Sequence, residues 1–291
     1  MVRTYLAAVL AAALWGVSFL LTKVILTQMG PMTAAAVRWW IASLALLALV
    51  AVRGSGRGAL QRAWRREWVR FVGLGAVGVG LFYILQNAAL VYTTSVDVGL
   101  IMNMVPVLTT MMGVWLLGEQ FNRRAVGGLI AATLGVTLIS LGGLDGVLAE
   151  ATHSRLLGSL MAFGAAVAGA VYMIGGKRVV STYGPLTVTI LSGLLGAVIL
   201  TPAAAWEGGS LALSVPVWAA LLGLALGSGA AAYWLYWYAA ERLPISRVSV
   251  FIYVTPVVST VLGVAVLGEP MSLATGAGAA CVLGGIMLVQ G

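Results

Sequence analysis

The stretch NMVPVLTTMMGVWLLGEQ at 103–120 recurs as YVTPVVSTVLGVAVLGEP at 253–270. Between 106 and 119, eight of fourteen positions are identical to those 150 residues later, without a gap. The shared residues include proline, glycine and glutamate in the same order, which chance repetition of apolar residues does not explain. The chain therefore contains two copies of one unit.

A second match marks the beginning of each copy. The pattern Lys-x6-Gly-Pro that begins at Lys23 recurs at Lys177, a shift of 154 residues. The shift differs by four from that of the first match, and the basic stretch 53–70 lies in the intervening part of the first copy. We therefore expect two domains, residues 1–146 and 154–291.

The composition excludes a soluble protein. Of the 291 residues 61% are hydrophobic and 8% are charged, and the mean hydropathy is +1.05, whereas soluble proteins carry roughly 25% charged residues. The apolar runs are continuous rather than alternating, which favours helices of about 20 residues over a β-barrel. The sequence predicts an all-α membrane protein with ten transmembrane helices, at 4–27, 32–52, 69–92, 95–117, 123–143, 155–178, 185–205, 215–240, 247–267 and 272–290.

Five spans in each copy, an odd number, require the second copy to cross the membrane in the opposite sense. Inverted repeats are typical of secondary transporters, which bind substrate in a central cavity between the repeats and expose it to either side alternately. With a cytoplasmic N-terminus, 13 Lys and Arg residues fall inside and 3 outside. This distribution predicts a bacterial inner (plasma) membrane protein with both termini cytoplasmic.

The stretch RGSGRGALQRAWRREWVR at 53–70 is the most basic part of the chain. Its Leu and Trp residues recur at a spacing of three and four, which predicts a short amphipathic helix on the inner membrane surface with arginines toward anionic lipid. The alternative is an orientation signal with no further function.

The repeated unit resembles a known family. The segments ALWGVSFLLTK, GPMTAAAVRWW, ALVYTTSVDVGLIMNMVPVLTTMMGVWLLGE and GGLIAATLGVTLI are similar to an EamA-type unit of the drug/metabolite transporter superfamily, and VTPVVSTVLGVAVLGEPMS and GGIMLV repeat it more loosely. The resemblance implies ten helices in two inverted repeats, a central cavity, and helices 5 and 10 at the periphery. Within the superfamily, the chain resembles bacterial exporters of aromatic and other amino acids. One departure is Ser192, which stands where the first copy has Arg38.

Neutral polar and aromatic residues within the spans are the candidates for substrate binding, since such a lining suits an amphiphilic solute of amino-acid size. Interior prolines free a carbonyl one turn upstream, where Asn103 and Tyr253 lie. Trp39, Trp40 and Trp218 are assigned instead to the aromatic belts that face lipid headgroups. The predicted substrate-binding residues are Trp15, Ser18, Tyr83, Asn87, Asn103, Tyr172, Trp237 and Tyr253.

A second set of residues is predicted to gate the carrier or to support its structure. Arg38 lies about two turns into its span. It either closes the outer side, through Asp97, Glu269 or a carbonyl, or binds a substrate carboxylate. Lys23 either snorkels or serves as a gate or a substrate contact. The two glutamates that follow glycine are expected to cap turns or to set the geometry of the hairpins. The set comprises Lys23, Arg38, Asp97, Pro106, Pro256, Glu119 and Glu269.

The predicted function is a secondary transporter that moves small amphiphilic metabolites, amino acids with aromatic ones included, by alternating access and in the direction of export. A multidrug or other metabolite carrier is the alternative. No Asp or Glu lies at the middle of a predicted span, which predicts facilitated flux or exchange without strong proton coupling. We expect no enzymatic activity, metal or cofactor. We also expect a small-molecule substrate and membrane lipid as partners, no nucleic acid, and an organisation compatible with a monomer.

Overall fold

The protein, described by a computed structural model, is built of helices throughout the residues that the structure describes: 1–54, 56–141, 153–209, 211–267 and 273–291. The helices of the first half are α1 (Val2–Ile25), α2 (Pro31–Arg53), α3 (Arg57–Gly75), α4 (Phe82–Tyr92), α5 (Ser95–Met102), α6 (Met104–Leu117) and α7 (Arg123–Leu141). Those of the second half are α8 (His153–Glu207), α9 (Val215–Gly223), α10 (Ala232–Arg242), α11 (Ile245–Ser249), α12 (Val254–Leu267) and α13 (Leu273–Gln290).

Eight helical stretches among the described residues are long and apolar enough to cross a membrane, and Thr275–Gln290 is a shorter apolar helix. One of the eight, Arg155–Glu207, has 53 residues, more than twice the length of a single span. It is divided at Gly184, where φ is 80° and ψ is 162°, a conformation that glycine alone adopts without strain. The predicted class, an all-α membrane protein, is confirmed, although the helix continues to the Gly184 turn instead of ending near residue 178.

The basic stretch is helical and leads directly into the third apolar segment. Helix α3 begins at Arg57 and is interrupted at Glu67, where φ is −132° and ψ is 20°. Ala63 is fully buried, whereas Trp64 and Trp68 are 47% and 53% exposed. The amphipathic helix thus contacts the bundle through a narrow face and leaves its arginines and tryptophans on the surface.

Two π-helical segments interrupt equivalent stretches of the two halves. The first is Ala76–Leu81, between α3 and α4, and the second is Leu224–Ala231, between α9 and α10. A shift of 150 residues carries the first segment to 226–231, inside the second. A π turn removes carbonyl groups from the regular hydrogen-bond ladder and is frequent at functional sites.

Each proline of the repeated motif follows a break in its helix. Helix α5 ends at Met102 and α6 begins at Met104, shortly before Pro106, and a 3-10 turn at Val250–Tyr253 precedes Pro256. These breaks occur where proline cannot donate the hydrogen bond that would continue the helix.

Helices α7 and α13, which close the two halves, pack backbone to backbone through glycine. A Cβ atom at Gly128 would lie 2.6 Å from the carbonyl O of Gly285, and one at Gly135 would lie 2.5 Å from that of Gly278. The contacts are reciprocal, because 128 and 278 correspond by the 150-residue shift, as do 135 and 285. Reciprocal contacts of this kind are expected wherever a two-fold axis relates two elements.

Candidate functional site

Arg38 is a charged residue carried deep into the bundle. It lies seven residues after Pro31 on α2, about 10 Å along the helix from that end. Only 8% of its surface is exposed. A charge at the centre of a membrane-spanning helix costs about 2.5–3.5 kcal/mol on insertion scales, and charged residues within such helices pair or face a wet site.

The groups around the Arg38 guanidinium satisfy it only in part. Nη2 donates to the carbonyl O of Ser228 over 3.1 Å, and Cζ lies 5.8 Å and 5.7 Å from the ring centres of Trp39 and Tyr83. Both distances are within the range of cation–π attraction. Nε is buried without a hydrogen-bond partner. Arg38 therefore holds a positive charge between two aromatic faces with donor capacity to spare.

The carboxylates expected near Arg38 do not pair with it in the described part of the chain. Asp97 instead binds Arg155 through two bonds, Nε to Oδ2 at 2.7 Å and Nη2 to Oδ1 at 2.9 Å. Glu269, the other candidate, lies outside the described residues. Of the contacts predicted for Arg38, the structure contains the one with a carbonyl.

That carbonyl belongs to the second π segment. Ser228 O accepts from Arg38 and also from Trp15 Nε1, at 3.2 Å, and the Ser228 hydroxyl donates to Leu14 O at 2.8 Å. Because the π turn takes carbonyls out of the helical ladder, Ser228 O can accept from α1 and α2. One backbone atom of the second half thus binds two helices of the first.

An aromatic cluster surrounds this point. It is formed by rings from α1, α2, α4, α8 and α10, namely Trp15, Trp39, Tyr83, Tyr172, Tyr233, Tyr236 and Trp237. Tyr233 is central, with ring centres 4.8 Å from Trp39, 5.2 Å from Trp15 and 6.3 Å from Tyr172. Trp237 continues the cluster at 5.3 Å from both Tyr172 and Tyr236. Both halves of the chain therefore contribute to one aromatic site.

The site is asymmetric, because Ser192 occupies the position that corresponds to Arg38. The Ser192 and Tyr172 hydroxyls share a hydrogen bond of 3.0 Å, and Trp237 Nε1 donates to the Tyr172 oxygen at 3.3 Å. A Cβ at Gly78, in the first π segment, would lie 2.1 Å from the Tyr172 ring. One side of the site thus carries a cation and the other carries hydroxyl groups.

The structure brings together four of the eight predicted substrate-binding residues, which are Trp15, Tyr83, Tyr172 and Trp237. Two others have local contacts. The Ser18 hydroxyl donates to the Trp15 carbonyl over 2.5 Å, within α1, and Asn87 Nδ2 lies 3.7 Å from Met32 Sδ.

Asn103 and Tyr253 meet each other instead. Tyr253 is 1% exposed, its hydroxyl donates to Asn103 O at 3.0 Å, and it shares a bond of 2.8 Å with Thr133 on α7. The two residues correspond by the 150-residue shift, so residues at this position meet where the halves contact each other. Tyr253 shares one buried hydrophobic core with Tyr172, Tyr236 and Trp237, but its hydroxyl bonds to groups outside the aromatic cluster.

Four members of the site, Trp39, Tyr233, Tyr236 and the backbone of Ser228, lie outside the set of eight predicted substrate-binding residues. Trp39, assigned above to a lipid belt, is fully buried, and that assignment was wrong. Tyr233 corresponds to Tyr83 by the 150-residue shift, a signal that could have identified it. Tyr233 and Tyr236 belong to the aromatic run 233–238, which is itself a candidate lining of the cavity. The backbone of Ser228 carries no signal, because a π turn cannot be read from residue types.

Four of the seven rings are buried at the centre, where a cavity was expected, and Trp15, Tyr83 and Tyr233 are partly exposed. Trp39 and Trp237 are fully buried, and Tyr236 and Tyr172 are 2% and 3% exposed. A cavity of about 380 Å³ lies to one side, between α2, α8 and the second π segment, and one of about 230 Å³ lies between α1 and α12. Neither cavity is lined by a ring of the aromatic cluster.

The two lysines of the repeat differ in their surroundings. Lys23 is exposed and borders the smaller cavity. Lys177 is partly buried, and its Nζ donates to the carbonyls of Ala240 and Leu243, the latter at 2.9 Å. Lys177 thus stabilises the C-terminus of α10, where cations are favoured.

Glu119 caps a helix of the other half. Its carboxylate accepts from the backbone N–H groups of Ile245 at 2.7 Å and Ser246 at 2.9 Å, at the start of α11, whose N-cap residue Pro244 has no side-chain acceptor. A capping role was predicted for Glu119, although at its own turn. Glu269, expected to act alike, lies outside the described residues.

Glu207 performs the same task at the other end of the bundle and was missed. Its carboxylate accepts from Met32 N at 3.1 Å, from Thr33 N at 2.7 Å and from the Thr33 hydroxyl at 2.6 Å. Gly30, the N-cap residue of α2, has no side chain, and a Cβ there would lie 2.2 Å from the Glu207 carboxyl carbon. Glu207 thereby holds the helix that carries Arg38.

These features define a class: a multi-pass helical membrane protein whose two similar halves meet around a buried cation and a cluster of aromatic rings. The model of the EamA-like transporter family matches residues 2–141 and 156–290. The chain belongs to the EamA-like transporter family, and the resemblance seen in the sequence is confirmed.

Similar proteins include transporters from archaea and bacteria. An uncharacterized transporter of Archaeoglobus fulgidus is 28% identical over 99% of this chain and 98% of its own. A probable terminal-alkyne amino-acid exporter of Streptantibioticus cattleyicolor is 26% identical over 98% of this chain and 92% of its own. The threonine/homoserine exporter RhtA of Escherichia coli is 32% identical over 48% of this chain and 49% of its own.

A solved structure, described as a crystal structure of a protein, matches 98% of this chain and 95% of its own with a TM-score of 0.84 and 21% identity. This likeness supports the fold alone.

Proposed function

We propose that the protein is a carrier of ten transmembrane helices, arranged as two inverted five-helix repeats at 1–146 and 154–291. The reciprocal glycine contacts of α7 with α13 support this symmetry, as do the two π segments at corresponding positions. Among the described residues there are eight long apolar stretches, and they count as nine spans because the turn at Gly184 divides α8 into two. Helix α13 is then the tenth span. The proposed junction of the repeats lies outside the described residues.

The transport site is the aromatic cluster around Arg38. The observation that carries this proposal is that helices of both halves supply its rings, since a site between two inverted repeats can open to either side with similar energy. In this proposal, the conformation in which the rings of the cluster pack against one another is an occluded one. Movement of one repeat against the other separates them and creates the central cavity expected from the sequence.

The proposed substrates are small amphiphilic metabolites, amino acids with aromatic ones included, and the proposed direction is export. Aromatic faces beside a few polar groups suit such solutes, and two of the similar proteins are described as amino-acid exporters. The excess of Lys and Arg on one side supports a bacterial inner membrane location with both termini cytoplasmic. A multidrug carrier is the second candidate, favoured by the same aromatic surface.

Counterflow in liposomes tests the function. Vesicles loaded with one unlabelled amino acid should take up the same labelled amino acid in a saturable manner, across a panel that includes Phe, Trp, Thr and lipophilic dyes. Uptake should not require a pH gradient, because the described spans hold no central acidic residue. Linear, unsaturable flux would indicate a channel, and absence of flux for every solute would refute transport.

A matched pair of tryptophan variants controls this assay. Trp237→Ala removes a fully buried ring of the cluster, whereas Trp206→Ala removes a ring that is 94% exposed. The first should reduce counterflow strongly and the second should leave it unchanged.

A further inference from the structure

We propose that Arg38 is the substrate-binding residue for a carboxylate, and that the carbonyl of Ser228 occupies its place until substrate binds. This inference rests on the proposed transport function and names the chemical group that the site requires. It selects direct binding, one of the two roles that the sequence left open for Arg38.

The hydrogen bonds of Arg38 point to an anionic ligand. A guanidinium has five N–H donors, and here one hydrogen bond, to Ser228 O, is made. Nε is buried without a hydrogen-bond partner. More than nine-tenths of the residue is buried, so this donor is shielded by the protein. A carboxylate binds two guanidinium N–H groups side by side and supplies the missing charge. A neutral carbonyl supplies neither the second acceptor nor the charge.

The position of Ser228 O makes it a replaceable ligand. It belongs to a π turn of the second half and also accepts from Trp15 at 3.2 Å, so it keeps one partner when Arg38 leaves. The bond from Arg38 to Ser228 joins α2 of the first half to the second half. A substrate carboxylate that takes Arg38 therefore removes a bond between the halves, which links binding to their movement.

The rings around Arg38 complete the selection. Trp39 and Tyr83 lie beside the guanidinium, each within 6 Å of Cζ, and Tyr233 lies 4.8 Å from Trp39. An apolar side chain attached to the carboxylate would thus meet aromatic faces. A cationic amphiphile would bring a second positive charge into a site of low dielectric constant, where like charges repel strongly. The site accordingly favours acids and zwitterions over lipophilic cations.

Three ligands that share a phenethyl skeleton test this assignment on the purified full-length protein. 3-Phenylpropionate carries a carboxylate, phenethylamine carries an ammonium group, and L-phenylalanine carries both. Binding is followed by quenching of tryptophan fluorescence, since Trp15 and Trp39 lie at the site. We expect both carboxylates to bind at least tenfold more tightly than phenethylamine.

Variants then assign the effect to Arg38. Arg38→Gln should weaken both carboxylates about tenfold to a hundredfold, as expected when a charged hydrogen-bond donor is removed, and should abolish the discrimination against phenethylamine. Arg38→Lys retains the charge but not the planar fork, so it should weaken binding less. Arg53→Gln, at the exposed end of the same helix, is the matched control and should bind like the wild type.

Each outcome decides the proposal. Equal affinity of the wild type for phenethylamine and 3-phenylpropionate would overturn it, even if every Arg38 variant failed to fold. A folded Arg38→Gln protein with wild-type affinity for the carboxylates would do the same. Counterflow of other solutes alongside either result would leave the transport function standing, whereas carboxylate binding without counterflow of any solute would refute transport but not the role of Arg38.

Discussion

Substitution of Glu207 by glutamine should destabilise the bundle by about 1–2 kcal/mol. The carboxylate accepts three hydrogen bonds at the start of α2, of 3.1, 2.7 and 2.6 Å. A helix cap is worth about 1–2 kcal/mol, and a negative charge at a helix N-terminus adds about 0.3–1 kcal/mol. Glutamine retains one acceptor oxygen and directs an NH₂ group at a backbone donor, so most of this stabilisation is lost.

The measurement is the loss of helical circular dichroism with increasing SDS in mixed micelles. Glu67→Gln is the matched control, because Glu67 forms a surface pair with Arg70 at 3.0 Å, three residues away, and such pairs contribute about 0.5 kcal/mol or less. Equal free energies of unfolding for the two variants would refute the capping argument. A loss of stability limited to Glu207→Gln would also indicate that this cap fixes the position of α2, the helix that carries Arg38.

Three further substitutions test other parts of the structure. Gly135→Ala should separate α7 from α13 and destabilise the protein by about 1–3 kcal/mol. Gly276→Ala is the control and should be tolerated, because a Cβ atom there has no neighbour within 4 Å. Equal melting temperatures of the two variants would contradict the close packing. Tyr253→Phe removes both hydrogen bonds of the hydroxyl and should lower the free energy of unfolding by about 1–2 kcal/mol. The affinity for substrate should stay the same. A clear loss of affinity would show that Tyr253 belongs to the binding site. Asp97→Asn should weaken the bidentate pair with Arg155. Because that pair holds its end of the bundle together, we expect the rate of counterflow to rise. An unchanged rate would show that the pair has a structural role only.

The helical membrane class could be read from the sequence because it depends on composition and length. Continuous apolar runs of about 20 residues leave no other way to satisfy the backbone in lipid. The breaks before Pro106 and Pro256 were predictable for the same kind of reason, since proline lacks a backbone donor wherever it stands. Tyr83 was predicted as an aromatic residue within a span, and Tyr233 corresponds to it by the 150-residue shift.

Residues whose role depends on a distant partner could not be assigned in this way. Glu207 accepts from a backbone N–H group 175 residues earlier in the chain, and Glu119 accepts from one 126 residues later. No local sequence pattern indicates such a partner. Asp97 was equally available to Arg38 and Arg155 until the helices were placed. Trp39 follows Arg38 directly, yet its burial depended on which face of α2 meets the second half.

The amino-acid sequence by itself determined that this chain is a repeated set of apolar helices with one deep arginine, because hydrophobicity, proline chemistry and repetition are properties of residues in order. Only the tertiary structure decided that Arg38 donates to a backbone carbonyl rather than to a carboxylate, and that aromatic rings from both halves pack beside it. The partner is an atom that every residue has, exposed by a π turn, and its availability is a property of helix geometry and packing rather than of residue type.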